Sequence, residues 1–258
     1  QASTGSSENN GNSSGALNTL TIDVLVKLKE AGPSNYQNWK KLLDFQFENR
    51  DWEGLAEEAM ASLDYFPIKG LFYFYSGSGS LYINELDDAE VLLSQSLRLG
   101  ASNDSLKART LGKMAELSFA KGDNAQAQQQ FEEALAIIRL PEIINNYSCE
   151  LALRQIDMDK AMELATEAGN MQPDQLRNLS TQAFVHFQAG TYDQAKTLLE
   201  AGMSRLPQQV DGPTLELYGD VLMKLNLVEQ AIAEWQRAKA LGKTSEKLDQ
   251  KIANKEYF

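Results

Sequence analysis

The sequence has little of the chemistry that enzymes and metal sites need. Among its 258 residues there is one cysteine, Cys149, and one histidine, His186. A single cysteine excludes an internal disulfide. The two residues fall on different units of the repeat pattern described below, so they predict neither a nucleophile–base pair nor a zinc site. We therefore expect no catalytic residue, no metal and no cofactor, and an enzyme of unknown type is the least favoured alternative.

Long apolar runs, strand patterns and phosphate-binding loops are also missing. No run of about 18 apolar residues is present, so no segment is predicted to insert into a bilayer. β-branched residues are sparse and no alternating run is long enough for a strand, which predicts a chain without a sheet. The run SGSGS at 76–80 lies inside a predicted helix, so its small residues predict close packing rather than a phosphate loop. It is also the best candidate for a place where something docks closely.

Positive charge is in short supply. The chain has 24 Lys and Arg against 36 Asp and Glu, a net charge of −12. This balance argues against nucleic acid and anionic membranes as partners, although a generic solvated acidic surface is the favoured explanation of the charge itself. Because position 1 is Gln rather than Met, we expect a processed or trimmed product. Residues 1–15, QASTGSSENNGNSSG, predict a disordered linker, and a lipid or other tether upstream of residue 1 is one possibility.

The strongest positive signal is an internal repeat. The phrases MDKAMELATEAGNMQPD and YDQAKTLLEAGMSRLPQ place Ala161 and Ala195 at equivalent positions, 34 residues apart. Extended along the chain, the same position falls at Leu55, Ala89, Ala127, Ala161, Ala195 and Ala231. A fixed period of this size predicts stacked helical units rather than a globular fold.

Each unit contains two apolar-periodic segments joined by a short polar turn, which predicts antiparallel helix pairs. Gly122 and Gly190 suit a left-handed turn, and Asn84 and Asn226 tolerate it. We predict one all-α solenoid domain over residues 16–258. It comprises an N-terminal helix at 17–31, helix pairs at 36–69, 70–103, 108–141, 142–175, 176–209 and 212–245, and a C-terminal capping helix at 245–258.

These residues resemble the tetratricopeptide repeat. The family has a small residue at position 8 of each repeat, which corresponds here to Leu43, Gly77, Ala115, Cys149, Ala183 and Gly219. It has a bulky residue at position 24 of each repeat, which corresponds to Ala59, Leu93, Phe131, Ala165, Leu199 and Trp235. Leu43, Leu55 and Asn145 depart from the pattern. The resemblance implies a right-handed superhelical solenoid of antiparallel helix pairs. The phrases LELYGDVLMKLNLVEQAIAEWQRAKALG and KLDQKIANKEYF are also similar to envelope-associated tetratricopeptide proteins of Gram-negative bacteria.

The resemblance implies that first helices line a concave groove for a peptide or partner protein. The implied groove residues are Lys40, Phe47, Phe74, Tyr75, Tyr82, Arg109, Lys113, Phe119, Asn146, Tyr147, Arg154, Arg177, Phe184 and Phe187. Aromatic residues and arginine are typical anchors for such ligands. The alternative for each aromatic is packing between neighbouring helices.

The favoured function is thus a non-catalytic scaffold for a protein or peptide ligand, and the alternative is a spacer or assembly module with an empty groove. A carboxylate clamp, as in chaperone-binding relatives, would use Lys40, Arg109 and Lys113. It lacks the family's asparagines, and Asp44 would repel a carboxylate. We expect a periplasmic or membrane-tethered location in the cell envelope, with the cytoplasm as the alternative.

Overall fold

The computed structural model describes residues 10–257, and the side chains of residues 21–257. This part of the chain contains fourteen α-helices and no strand. The predicted all-α fold of antiparallel helix pairs is therefore confirmed. The chain divides into two compact units, the first ending at Arg139 and the second beginning at Leu140. That residues 16–258 form a single domain stays a prediction, and the two units are described in turn.

Unit 1 holds one N-terminal helix and three helix pairs. The helices are α1 (Asn10–Ala31), α2 (Tyr36–Glu48), α3 (Trp52–Ser62), α4 (Gly70–Tyr82), α5 (Leu86–Leu99), α6 (Asp104–Ala120) and α7 (Asn124–Ile137). The first helix begins at Asn10, earlier than the predicted start at Leu17. Ser, Gly and Asn are weak helix formers, which is why the sequence favours a linker there. Residues 1–9 of that predicted linker lie outside the described residues.

Unit 2 holds three further pairs and a short last helix. These are α8 (Pro141–Arg154), α9 (Met158–Met171), α10 (Leu176–Gln188), α11 (Tyr192–Arg205), α12 (Gly212–Lys224), α13 (Val228–Leu241) and α14 (Leu248–Asn254). A single 3-10 turn, Pro207–Gln209, precedes α12. The capping helix predicted at 245–258 corresponds to α14.

The turn inside every pair contains one residue in the left-handed conformation. Gly122 and Gly190 take it with φ of 84° and 76°, and Asn84 and Asn226 with 65° and 62°. These four positions follow from residue type, because glycine has no Cβ to clash and asparagine tolerates the region. The other two turns use Arg50 and Gln155, with φ of 56° and 53°. Nothing in these two residue types predicts that conformation.

Helix pairs pack through complementary side-chain volumes at two places sixteen residues apart. Where the first helix has glycine, the second has a large residue: Gly77 lies against Leu93, and Gly219 against Trp235. In the first pair the sizes are reversed, since the fully buried Leu43 is matched by Ala59. The departure at Leu43 is thus a volume exchange within one pair, which keeps the core close-packed.

The run 76–80 lies inside α4 and is buried along its whole length. A Cβ on Gly77 would stand 2.8 Å from Leu93 of α5, and one on Gly79 would stand 2.7 Å from the Ala56 backbone of α3. Both faces of this stretch are therefore occupied by neighbouring helices. Its small residues serve close packing, as predicted, and the expectation that something else docks there is wrong.

Candidate functional site

The residues implied for the groove belong to the first helix of each pair. In unit 1 these helices, α2, α4 and α6, contact one another in succession, and in unit 2 so do α8, α10 and α12. Stacked in this way, they give each unit a face built only of first helices. We call these surfaces the first-helix faces of unit 1 and unit 2.

The fourteen implied groove residues differ widely in exposure. Six are buried in helix packing: Phe74, Tyr75, Lys113, Phe119, Tyr147 and Phe187. Five are half-buried, namely Lys40, Phe47, Asn146, Arg154 and Phe184, and three are exposed, namely Tyr82, Arg109 and Arg177. For the six buried residues, the alternative of packing between helices describes their surroundings. Ligand contact by the others stays a prediction.

Asp44 joins α2 to α4 on the first-helix face of unit 1. Its Oδ2 accepts from Lys40 Nζ at 2.5 Å, and its Oδ1 accepts a hydrogen bond from the Tyr75 hydroxyl. Burial raises the pKa of Tyr75, and the hydrogen bond to Asp44 adds to the rise. The tyrosine therefore stays protonated and remains a hydrogen-bond donor to the carboxylate.

A second polar cluster joins α4 to α6. Lys113 Nζ lies 2.9 Å from both carboxylate oxygens of Glu116 and 2.7 Å from the Tyr82 hydroxyl, which donates to Glu116 Oε2 at 2.8 Å. Burial opposes the charge on Lys113, but Glu116 and Tyr82 outweigh that effect and raise its pKa. The buried ammonium is therefore satisfied by partners, as a buried charge must be.

This cluster holds an exposed aromatic ring in place. Tyr82 as a whole residue is 41% exposed, although its hydroxyl is tied to Lys113 and Glu116. Burial raises the pKa of that hydroxyl to about 12. The same ring stacks on Trp52, with centroids 4.1 Å apart and planes 21° apart. Phe47 packs edge-on against Trp52 at 5.7 Å. We call Phe47, Trp52 and Tyr82 the aromatic platform.

The carboxylate clamp is not favoured by these contacts. Lys40 is paired with Asp44, and Lys113 with Glu116. Both lysines of the clamp therefore already have a carboxylate partner on their own helix. Arg109 is exposed and close enough to Tyr75 to act against the rise in its pKa. The first-helix face of unit 1 therefore offers an aromatic surface with balanced charges around it.

In unit 2, the equivalent polar residues also contact one another. Arg177 donates to Asn146 Oδ1 at 3.0 Å across the α8–α10 contact. Arg154 pairs with Glu150 one turn away on α8. Tyr147 is fully buried, and Lys160 of α9 lies over its ring at 5.2 Å. These contacts position α8 against its neighbours.

Cys149 and His186 have structural surroundings, though neither is fully buried. Cys149 Sγ lies 3.6 Å from Thr181 Oγ1, and this thiol is partly buried. His186 Nδ1 lies 2.9 Å from Thr191 Oγ1, and desolvation lowers its pKa. The first contact joins α8 to α10, and the second joins α10 to the N-cap residue of α11.

The short helix α14 lies close to α12. Lys251 of α14 places its ammonium 2.8 Å from Glu216 Oε1 and 2.8 Å from both carboxylate oxygens of Asp220. Trp235 Nε1 donates to Asp220 at 2.9 Å, and the Ser245 amide donates to Glu216 at 2.8 Å. We call Glu216 and Asp220 the acid pair, and residues 245–257 the C-terminal segment.

The end of this segment covers one of the implied groove residues. The ring of Tyr257 packs edge-on against Phe187 of α10, with centroids 5.2 Å apart. Lys224 lies over the Tyr257 ring at 4.5 Å. The C-terminal segment therefore spans from α12 to α10 on the first-helix face of unit 2.

The two carboxyls of the acid pair share one cation, and their pKa values move apart. Burial raises the pKa of Asp220 to about 6, with Lys251 acting in the opposite direction. Burial acts to raise the pKa of Glu216 too, but bonds from Lys251 and Ser245 outweigh it, and the net shift is downward. Two acids beside one ammonium divide in this way when one has more donors than the other.

Sequence reasoning left Trp52 and the C-terminal segment out of the candidate site. Trp52 begins a second helix, and the implied groove draws on first helices only. For Lys251 a signal exists: it follows Asp220 by 31 residues, as Tyr75 follows Asp44. In a stack of period 34, this offset places the two side chains on the first helices of adjacent repeats. Since α14 follows the last pair, it stands where the first helix of a further repeat would be.

Among the described residues, the His, Cys, Asp and Glu side chains form no group of three placed to hold a metal ion. None of the helices in this part of the chain combines the length and the apolar character that crossing a bilayer requires.

No protein-family model and no curated protein sequence matches this chain. Solved structures do. A tetratricopeptide repeat protein from Parabacteroides merdae superposes with a TM-score of 0.67 at 14% identity, over 92% of each chain. A chain of the Cut9–Hcn1 hetero-tetramer of the APC/C superposes with a TM-score of 0.69 at 16% identity, over 92% of this chain. This chain spans about half (46%) of that one. PilW, described as a widely conserved type IV pilus biogenesis factor, gives 0.60 at 18% identity, over 82% of this chain and 96% of PilW.

Proposed function

We propose that this chain, which has the tetratricopeptide repeat fold, is a non-catalytic scaffold that binds a protein or peptide on the first-helix face of unit 1. The observation that carries the proposal is the aromatic platform. Tyr82 keeps 41% of its surface exposed, while Trp52 stacks on one side of its ring and Lys113 and Glu116 hold its hydroxyl.

A ring held in this way is suited to recognition. An immobilised aromatic side chain loses little conformational entropy on binding, so more of its contact energy is available for affinity. Tyrosine and tryptophan are also the residues most enriched at the centres of protein interfaces. The partner we propose presents an apolar or aromatic side chain that stacks on the ring of Tyr82.

Charged groups near the platform limit the partner further. Lys40 with Asp44, and Lys113 with Glu116, are internally balanced pairs. These pairs therefore add no net charge of their own to the surface around the platform. Recognition is therefore expected to depend on shape and stacking, with a weak dependence on salt concentration.

The test is a selection of binders from a random 12-residue phage-displayed peptide library, followed by fluorescence polarisation with the synthesised peptides. The Tyr82→Ala variant should bind the selected peptides at least about tenfold more weakly, the loss expected for an aromatic anchor. Tyr65→Ala is the matched control, because Tyr65 is 49% exposed but lies outside the first helices. Equal binding by the wild type and Tyr82→Ala would overturn the proposal.

The alternative is a spacer that holds other parts of an assembly and has no ligand on this face. The burial of six implied groove residues favours it, because they are not free to contact a ligand. A library selection that enriches no peptide over the Tyr82→Ala background would favour the spacer.

An envelope location is also a proposal. It rests on the likeness of the C-terminal phrases to envelope-associated repeat proteins, and the fold shared with PilW is compatible with it. Fractionation of the source cells, followed by detection with an antibody against this chain, tests it. Recovery in the cytosolic fraction alone would contradict an envelope location.

A further inference from the structure

The C-terminal segment occupies the first-helix face of unit 2 in the manner of a bound peptide. It contributes a cation to the acid pair through Lys251 and an aromatic ring to Phe187 through Tyr257. Lys251 lies within α14, a helix of only seven residues, and Tyr257 follows the end of that helix. The contacts come from side chains six positions apart, as in a short linear motif.

The acid pair requires an occupant. Glu216 and Asp220 are 6% and 7% exposed, and both accept hydrogen bonds from the Lys251 ammonium. Two buried carboxylates without a cation would repel each other and lose the solvation of water. If Lys251 leaves this surface, the two carboxylates gain water or protons, and only another cation restores the ion pairs.

The segment is held by few apolar contacts. Leu248 is its buried apolar residue and packs with Trp235 and Leu215, while Ile252 and Tyr257 are half-buried. The ion pair between Lys239 and Asp249 is exposed, and such pairs contribute little. An element with a small buried area opens locally at lower free energy than the helix pairs beneath it.

We propose that the C-terminal segment is an internal ligand, and that the surface beneath it binds a partner segment of the same chemistry. Such a partner carries a lysine for the acid pair and, six residues later, an aromatic ring for Phe187. Exchange of one lysine for another leaves the acid pair with the same ion pairs before and after, so displacement involves no net loss of ion pairing. This inference deepens the proposed scaffold function and rests on it, with unit 2 providing a second, normally covered binding surface.

The arrangement predicts competition within one molecule. A tethered segment is present at an effective concentration in the millimolar range, so a free peptide competes poorly with it. If the contacts of the tethered segment are weakened and the surface beneath it is unchanged, the same free peptide should bind. Tyr257→Ala and Lys251→Met both weaken the segment, and both leave Phe187, Glu216 and Asp220 in place.

The experiment uses a fluorescein-labelled peptide of residues 244–258, TSEKLDQKIANKEYF, and the full chain in three forms: wild type, Tyr257→Ala and Lys251→Met. Fluorescence polarisation should show binding to both variants at least about tenfold tighter than to the wild type. A peptide with Lys251→Met should bind none of them. Circular dichroism at 222 nm checks that each variant is folded. If Lys251→Met does not fold, the comparison of Tyr257→Ala with the wild type still tests the proposal.

Two outcomes would overturn the proposal: equal affinity of the peptide for all three proteins, or no binding to either folded variant. Adding Asp220→Asn to the Tyr257→Ala variant should weaken peptide binding again. An unchanged affinity in this double variant would also contradict the proposal. Peptides selected on the aromatic platform should bind Tyr257→Ala and wild type alike. A failure of this inference is thereby distinguishable from a failure of the proposed scaffold function.

Discussion

Gly219 lies directly against the indole of Trp235. A Cβ atom on Gly219 would stand 2.4 Å from Trp235 Cδ1 and 2.5 Å from Nε1. The indole is fully buried, and its Nε1 donates to Asp220, so the ring has no free direction in which to move. The absence of a side chain at position 219 therefore sets the distance between α12 and α13.

Gly219→Ala should destabilise the protein by roughly 1–3 kcal/mol, as overpacking of a full core does. In an exposed helix the same change would stabilise by up to about 1 kcal/mol, so the sign of the effect is diagnostic. Urea unfolding followed by circular dichroism measures it. Combining the change with Trp235→Phe should cost less than the sum of the two single changes. Simple additivity would contradict the contact.

Arg50→Gly and Gly122→Ala should change stability in opposite directions. Both residues take the left-handed conformation, which costs a residue with a Cβ about 1–2 kcal/mol. Removing the Arg50 side chain relieves that strain, partly offset by the greater freedom of glycine in the unfolded chain. A Cβ on Gly122 would meet nothing within 4 Å, so the backbone conformation alone determines the expected loss. Thermal unfolding of both variants measures the two effects, and a shift in the same direction for both would contradict the turn geometry.

Asn145→Leu should stabilise unit 2 by about 1–2 kcal/mol. Asn145 is buried, and its Oδ1 has no hydrogen-bond partner among the described residues. It lines a polar cavity of about 130 Å³, which leaves room for a larger side chain. The tetratricopeptide pattern has a bulky apolar residue at this place. A loss of stability in urea unfolding would show that the carboxamide is satisfied in solution.

The acid pair predicts a distinctive dependence of stability on pH. Asp220 titrates at about 6 in the folded chain, above its ordinary value of 3.8, so the folded state binds more protons between these values. The free energy of unfolding should therefore rise as pH falls from 7 to 5, relative to an Asp220→Asn variant. Glu216, whose pKa is lowered, acts in the opposite direction but only at lower pH, as its folded-state pKa is approached. Urea unfolding of both proteins at pH 7, 6 and 5 gives the difference, and a fall on acidification would contradict the assignment.

The helices and their pairing could be predicted because the signal repeats. Small residues at Ala127, Ala161 and Ala195 return with the period, and each is fully buried. The turns at Arg50 and Gln155 could not be predicted, because tertiary packing imposes their conformation without a glycine or asparagine to signal it. Taken alone, Leu43 departs from the repeat pattern, because the compensating Ala59 is recognised only when the two positions are compared as a pair.

The candidate site was harder to predict. The resemblance indicates which repeat positions direct their side chains into the groove. It does not indicate how much of each side chain the neighbouring helix covers. Tyr147 is fully buried and Phe187 is covered by Tyr257, whereas Tyr82 remains exposed. Trp52 and Lys251 lie outside the first helices of the predicted pairs, so the pattern of places did not include them.

Photo-crosslinking tests the central claim most directly. Tyr82→p-benzoylphenylalanine places a reactive ring on the aromatic platform, and the same replacement of the exposed Tyr65 is the control. With a peptide selected from the library, irradiation followed by mass spectrometry should give a protein–peptide crosslink from position 82 and none from position 65. A crosslink from position 65 alone would contradict the platform as the binding site.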